Sequence, residues 1–338
     1  MRLITNIAFW LLTIPTLLMV QGCEKVLLKP DPASHPEAVF EALWQDVRNR
    51  YSYFELKNID WEEVRVRYAA LITPDLSSEA LFEVLADMLF ELEDGHVNLT
   101  TAFDRSRNWD WFQDFPVNYN QAIVDRQYLG RNFRITGPFR SQIIDSVLYV
   151  NYRSFSDDIS LAAIEALIDR MQGLKGVIVD VRNNGGGALN NATRLASAFS
   201  NESYTYGQVR IKNGPCDNCF SSWTPLRVIG RNGTTFDGKV IVLTNRASYS
   251  STTYFAQMMR ENPNVVLMGQ PTGGGGGSPV FGELPNGWTY RFSATQAVAL
   301  NGAHFELGIP VDVLVDLEKG DEDQGIDTMI ERALAALR

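Results

Sequence analysis

The sequence predicts an α/β fold, a mostly parallel sheet with a small helical unit in front of it. Strand-like runs at 147–152, 176–181, 239–244 and 264–268 alternate with helix-like segments at 160–171, 188–199 and 250–260. That alternation marks a parallel sheet with crossover helices. The runs are apolar throughout, as in Val177-Ile178-Val179 and Val240-Ile241-Val242-Leu243, which is expected of strands covered on both faces. Before them, residues 36–92 read as three helices. In the third, Leu81, Phe82, Leu85, Met88, Leu89 and Leu92 recur at three- and four-residue spacing behind Ser77 and Ser78, either of which can cap it.

Taken in order, the chain begins with one charge, Arg2, and an apolar run from Ile7 to Val20, closed by Gln21-Gly22-Cys23. The run is shorter than the roughly 20 residues that span a bilayer. It resembles a bacterial lipoprotein signal, which implies removal of residues 1–22 and lipidation of Cys23. Residues 23–35 form a tether with two prolines, 36–100 the helical domain, and 101–338 the α/β core. Residues 103–145 are aromatic and irregular, with Trp109, Trp111, Phe112, Phe115 and Tyr119, and read as short strands. Residues 201–238, rich in Gly, Asn and Ser, read as an edge strand plus loop. Pro285-Asn286-Gly287 marks a hairpin, and Asp323 to Leu337 an amphipathic helix.

The formal net charge of −10 comes without a basic run, so nucleic acid is a poor partner. Besides Cys23 the only cysteines are Cys216 and Cys219, spaced Cys-x-x-Cys in a Pro/Gly/Asn-rich loop. A local disulfide in an oxidising compartment fits that setting better than a redox helix start or a zinc site. The three histidines, His35, His96 and His304, show no metal-ligand spacing.

Two strand ends carry the chemistry. Asp180-Val181-Arg182-Asn183-Asn184-Gly185-Gly186-Gly187 offers open backbone N–H groups, and Asn245-Arg246-Ala247-Ser248-Tyr249-Ser250-Ser251 places serines at a helix start. Acyl transfer needs a nucleophile, a base and donors for the oxyanion. From the residues alone the nucleophile is Ser250 or Ser248, and the base His96 or His304. The glycines at 273–277 are no phosphate loop, since neither Lys-Ser nor Lys-Thr follows them; a flexible loop bordering a groove is expected.

The order of these segments, together with Leu92-Glu93-Asp94-Gly95-His96-Val97, Gly269-Gln270-Pro271-Thr272-Gly273-Gly274 and Gly308-Ile309-Pro310-Val311-Asp312, resembles the tail-specific, or C-terminal processing, serine peptidases. The resemblance implies a crotonase-like core related to ClpP and peptide or protein substrates in the cell envelope. It implies Ser250 as nucleophile, with the backbone N–H groups of Gly186 and Ser251 as oxyanion donors. Processing proteases of bacteria use a lysine base about 25 residues beyond the serine; here Gly275 stands there, and no lysine lies between Lys239 and Lys319. The tricorn-like branch uses a histidine and a glutamate, which match His96 and Glu306. That branch has a serine directly before the histidine, where this chain has Gly95. About 50 residues separate His96 from Val147, too few for the PDZ domain many members carry. No metal or cofactor is implied. The rival reading is an inactive protein binding a peptide or apolar ligand on the same fold.

Overall fold

The computed structural model describes residues 34–108 and 113–338. The expected signal, Cys23 and most of the tether lie outside the described residues, as do Trp109, Trp111 and Phe112. Helices α1 (Pro36–Arg50), α2 (Trp61–Ala69) and α3 (Ser78–Phe90) form where the sequence predicts three. Pro36 sits in the first turn of α1, and Arg48 and Arg50 in its last, where the dipole favours cations. Asp60 caps α2 through the N–H groups of Glu62 and Glu63, and Ser77 caps α3 through that of Ala80. The indoles of Trp44 and Trp61 each donate to the other's backbone carbonyl, locking α1 onto α2.

The chain continues through β1 (Asn98–Thr100), a helical turn at 121–129, β2 (Arg134–Thr136), β3 (Phe139–Ile144), β4 (Val147–Asn151), α4 (Leu161–Met171), β5 (Gly176–Asp180) and α5 (Leu189–Ala196). It then runs through β6 (Tyr204–Ile211), β7 (Thr224–Val228), β8 (Lys239–Thr244), α6 (Ser251–Arg260), β9 (Val265–Gly269), β10 (Pro279–Glu283), β11 (Thr289–Ser293), β12 (Thr295–Val298), β13 (Val313–Leu314) and α7 (Thr328–Leu337). The central sheet has the order β13-β9-β8-β5-β4-β3-β2. It is parallel from β13 to β4 and antiparallel beyond. The mixed α/β architecture with its covered sheet is the one the sequence predicts.

Alternate residues of the buried strands explain the double covering. Leu148, Val150, Val177, Val179, Val240 and Val242 pack with α4, α5 and α6. Tyr149, Ile178, Ile241 and Leu243 face α7 through Met329, Ile330 and Leu334. This α7 starts at Thr328, later than the Asp323 start expected from amphipathicity. Gly325 at φ +76 turns the chain, and Asp327 caps the helix by accepting from the N–H of Ile330.

Two smaller sheets flank the central one. Residues 201–238, expected as an edge strand plus loop, form the β6–β7 hairpin, and β12 joins it. Gly207 lets β12 approach, since a Cβ there would lie 2.4 Å from the carbonyl of Val298. The β10–β11 hairpin turns at Gly287 and pairs with β1. Its Leu284, Tyr290 and Phe292 share a core with α1–α3, so that core crosses the boundary drawn at residue 100. Between β6 and β7, Cys216 and Cys219 are joined through their sulfurs, Cα atoms 5.1 Å apart. Among the described residues no helix is long and apolar enough to cross a membrane.

Candidate active site

Strand β5 is paired with β8 to its last residue, Asp180 opposite Leu243, so the turns that follow lie side by side. Hydrogen bonds lace them together. The N–H of Asn183 donates to Oδ1 of Asn245, that of Tyr249 to the carbonyl of Asn184, and Oγ of Ser248 to the carbonyl of Val181. Ser248 is fully buried and holds this junction, which removes it as a nucleophile. Ser250 differs. Its backbone has φ +58 and ψ −121, a conformation rare for a residue with a Cβ, and its side chain makes no capping bond to α6. Its N–H donates to the carbonyl of Gly274, fixing the turn from behind. The hydroxyl is thereby turned away from the helix it precedes.

The histidine comes from another sheet. Asn98 in β1 pairs with Arg291 in β11, and extending that antiparallel register by two residues puts His96 opposite Ser293. His96 Nε2 is 2.9 Å from Ser250 Oγ, although 154 residues separate them. Its Nδ1 faces Ser293 Oγ at 3.4 Å and Oδ1 of Asp94 at 3.9 Å, and Oδ1 also accepts the N–H of His96. The ring rests on Tyr249, centroids 5.0 Å apart. His304 lies elsewhere, against Tyr53, and takes no part.

Burial lowers the His96 pKa to about 4, with Asp94 opposing and Arg291 and Lys57 assisting. The imidazole is therefore neutral at pH 7 and able to accept the serine proton. Burial pushes Asp94 upward, but Lys57, His96 and the hydrogen bonds outweigh it and hold the group below the usual carboxylate range. An ionised carboxylate thus sits behind the imidazole.

Glu306, expected to support His96, is used differently. Its Oε1 pairs with Lys57 Nζ at 2.8 Å, and its Oε2 accepts the N–H of Gly276 at 2.9 Å. Burial and the nearby Asp94 raise it to about 7 against the pull of Lys57. Lys57 in turn is lowered by burial but raised more by Glu306 and Asp94, so it stays an ammonium and is no base. Glu306 belongs instead to the wall behind the glycine loop. That loop is packed rather than flexible: a Cβ on Gly274 would lie 2.0 Å from the carbonyl of Glu306.

The expected oxyanion donors divide. Ser251 N–H heads α6, where the helix dipole favours negative charge, and forms no hydrogen bond among the described residues. Gly186 N–H is instead given to Oδ1 of Asn184 at 3.0 Å. Asn184 is fixed in turn, donating to the carbonyl of Tyr152 and accepting from Oγ1 of Thr252. The neighbouring N–H groups of Gly185 and Gly187 have no internal acceptor among the described residues. Gly186 must be glycine for a different reason, since its Cβ would fall 2.8 Å from that of Ser250. A cleft of about 660 Å³ opens over Ser250, His96 and this glycine turn. Asp94, Ser293 and Asn184 carry roles that the sequence did not assign; only Asp94 had a signal, its place beside the histidine.

A family model for peptidase family S41 matches residues 146–315, and one for the tricorn protease C1 domain matches residues 32–90. A crystal structure from Parabacteroides merdae, of a protein assigned as a peptidase, is 39% identical with a TM-score of 0.86, covering 90% of this chain and 97% of that one. The carboxy-terminal processing protease CtpA of Bacillus subtilis is 26% identical over 155 residues, 45% of this chain and 31% of its own length. Mature CPAF shares the fold, at TM-score 0.69 and 12% identity over 90% of this chain and 97% of its own. The chain spans less than half the length of the curated relatives it matches. This chain belongs to peptidase family S41, and its α/β fold is that of the family.

Proposed function

We propose that this chain is a serine peptidase that hydrolyses peptide bonds of peptide or protein substrates, with Ser250 as nucleophile and His96 as general base. The observation that carries it is the 2.9 Å contact between His96 Nε2 and a Ser250 hydroxyl held outside its helix by a positive φ. His96 takes the Oγ proton as Oγ attacks the carbonyl carbon, and the tetrahedral oxyanion is received by Ser251 N–H and a flanking glycine N–H of the 185–187 turn. The imidazolium then protonates the leaving amine, the C–N bond breaks, and an acyl ester remains on Ser250. Water, deprotonated by His96, hydrolyses that ester. Asp94, seconded by the Ser293 hydroxyl, stabilises the transient imidazolium. The Arg2 to Cys23 segment supports action in the cell envelope, with Cys23 as the lipidated residue.

Labelling residues 24–338 with a fluorophosphonate and mapping the adduct by peptide mass tests the reading. Modification is expected at Ser250, and absent in Ser250→Ala and His96→Ala. A folded protein that stays unlabelled would favour a ligand-binding protein on this fold.

The pH profile separates the two carboxylates. Neutral His96 is the working form, so kcat/KM is expected to hold near neutrality and fall as pH drops through about 4. Asp94→Asn removes the charge that raises His96, moving this limb to lower pH. It also lowers kcat, by less than the roughly 10⁴-fold seen where a triad carboxylate bonds the imidazole directly. Glu306→Gln is expected to leave the limb in place. A limb that moves with Glu306→Gln and not with Asp94→Asn reverses the assignment.

A further inference from the structure

The sheet face that carries His96 continues into a pair of arginines. Two residues beyond His96, at the start of β1, Oδ1 of Asn98 accepts at once from Arg291 Nε at 2.6 Å and from an Nη of Arg105 at 2.8 Å. Asn98 is buried, and its own amide is fixed on the carbonyl of Val97. Arg291 is its register partner on β11, and Arg105 enters by a bridge to Thr100. Both guanidinium groups line the same cleft as Ser250, with Arg107 beside them.

Two like charges gathered on one neutral oxygen repel, and the cost falls mainly on half-buried Arg291, since Arg105 is exposed. In a chain with 40 acidic and 30 basic residues, buried and half-buried arginines commonly meet a carboxylate, as Arg50 meets Asp46 and Arg182 meets Asp180. Among the described residues, the side-chain hydrogen bonds of Arg105 and Arg291 go to Asn98 alone. Burial and the charge of Arg105 disfavour the ionised form of Arg291 and outweigh the opposing pull of Tyr249 and Asp94. An arriving carboxylate would relieve that repulsion, and a forked pair of guanidinium donors suits its geometry.

Position says which part of the substrate supplies it. The imidazole lies on the side of the leaving amine, which it must protonate. The arginines lie beyond it on the same face, at a spacing of two strand residues, about 7 Å. We propose that Arg105 and Arg291, presented by Asn98, bind a carboxylate of the substrate on the leaving-group side of the scissile bond. The source is the free C-terminus of the peptide or an acidic side chain within a few residues of the cut. The inference rests on the peptidase reading for its orientation.

Internally quenched peptides in two matched pairs test it, one pair ending in a free acid or an amide, the other amidated with Glu or Gln near the cut. At low salt the carboxylate member of at least one pair is expected to be favoured about tenfold or more in kcat/KM, the worth of a charge-assisted contact. The acid/amide pair responds if the source is the C-terminus, the Glu/Gln pair if it is a side chain. Arg105→Gln, at an exposed position, should reduce that preference toward unity, and Arg105→Glu should invert it. Equal cleavage within both pairs, or a preference that survives in both variants, overturns the proposal. Binding of the same peptides to Ser250→Ala separates the failures. Carboxylate-selective binding without turnover by the unaltered protein sinks the peptidase reading and keeps the subsite; turnover without selectivity does the reverse.

Discussion

Ser250→Ala is expected to reduce peptide hydrolysis by on the order of 10⁴-fold or more, since removing the nucleophile of a triad leaves only what binding and the oxyanion donors supply. Folding should be spared: the hydroxyl makes no cap bond to α6, and its side-chain partner is His96. A second substitution makes the result specific to this backbone. At φ +58 and ψ −121 a residue with a Cβ is strained by about 1–3 kcal/mol, and glycine is not. Ser250→Gly should therefore be as inactive as the alanine variant yet match or exceed the unaltered protein in stability, since the relief of strain is at least as large as the roughly 0.4–1 kcal/mol that glycine's freedom in the unfolded chain costs. Thermal unfolding of the three proteins in parallel checks this. An alanine variant that keeps more than about one hundredth of the activity would remove Ser250 from the chemistry, whatever its stability.

Legibility of the site followed the distance over which each contact acts. Local signals sufficed for the strand-to-turn junctions after β5 and β8, because apolar runs and glycines determine them within a few residues. Ser250 and His96, far apart in sequence, could be paired only through a resemblance, and the geometry brings them to 2.9 Å. What no local pattern carried was register. Ser293 faces His96 only because β1 pairs with β11, and one residue of slip would turn it to the other face. The same limit explains Glu306. Its place before Gly308 was visible, but Lys57, which holds it, comes from the turn after α1. The Gly186 N–H is a donor that the resemblance alone implies, and Asn184, two residues before it, supplies the acceptor that closes it. Side chains that satisfy nearby backbone are short-range, yet their rotamers are set by partners across the fold, here Tyr152 and Thr252.

Arg182→Ala is expected to be the most destabilising single change near the site. The guanidinium is fully buried. It binds both oxygens of Asp180, through Nε at 2.9 Å and Nη2 at 2.7 Å, and Oδ1 of Asp327 through Nη1 at 3.0 Å. Tyr149 donates to the same Asp180 at 2.6 Å. Asp327 caps α7, so this one cation ties the C-terminal helix to the end of β5, immediately before the Asn183–Gly187 turn. Removing it strands two buried carboxylates, a loss of about 3–5 kcal/mol for breaking such a pair, and a fall in Tm of roughly 10 °C follows. The cost lies in the uncompensated charge rather than in the pair itself, since buried ion pairs replaced whole by neutral groups are often no less stable. The triple change Asp180→Asn, Arg182→Met, Asp327→Asn should accordingly recover much of the stability, because an asparagine side chain in place of Asp327 can still cap α7. Recovery of Tm without recovery of fluorophosphonate labelling would show that the charge network also positions the glycine turn; a single Arg182→Ala variant as stable as the parent would refute the account.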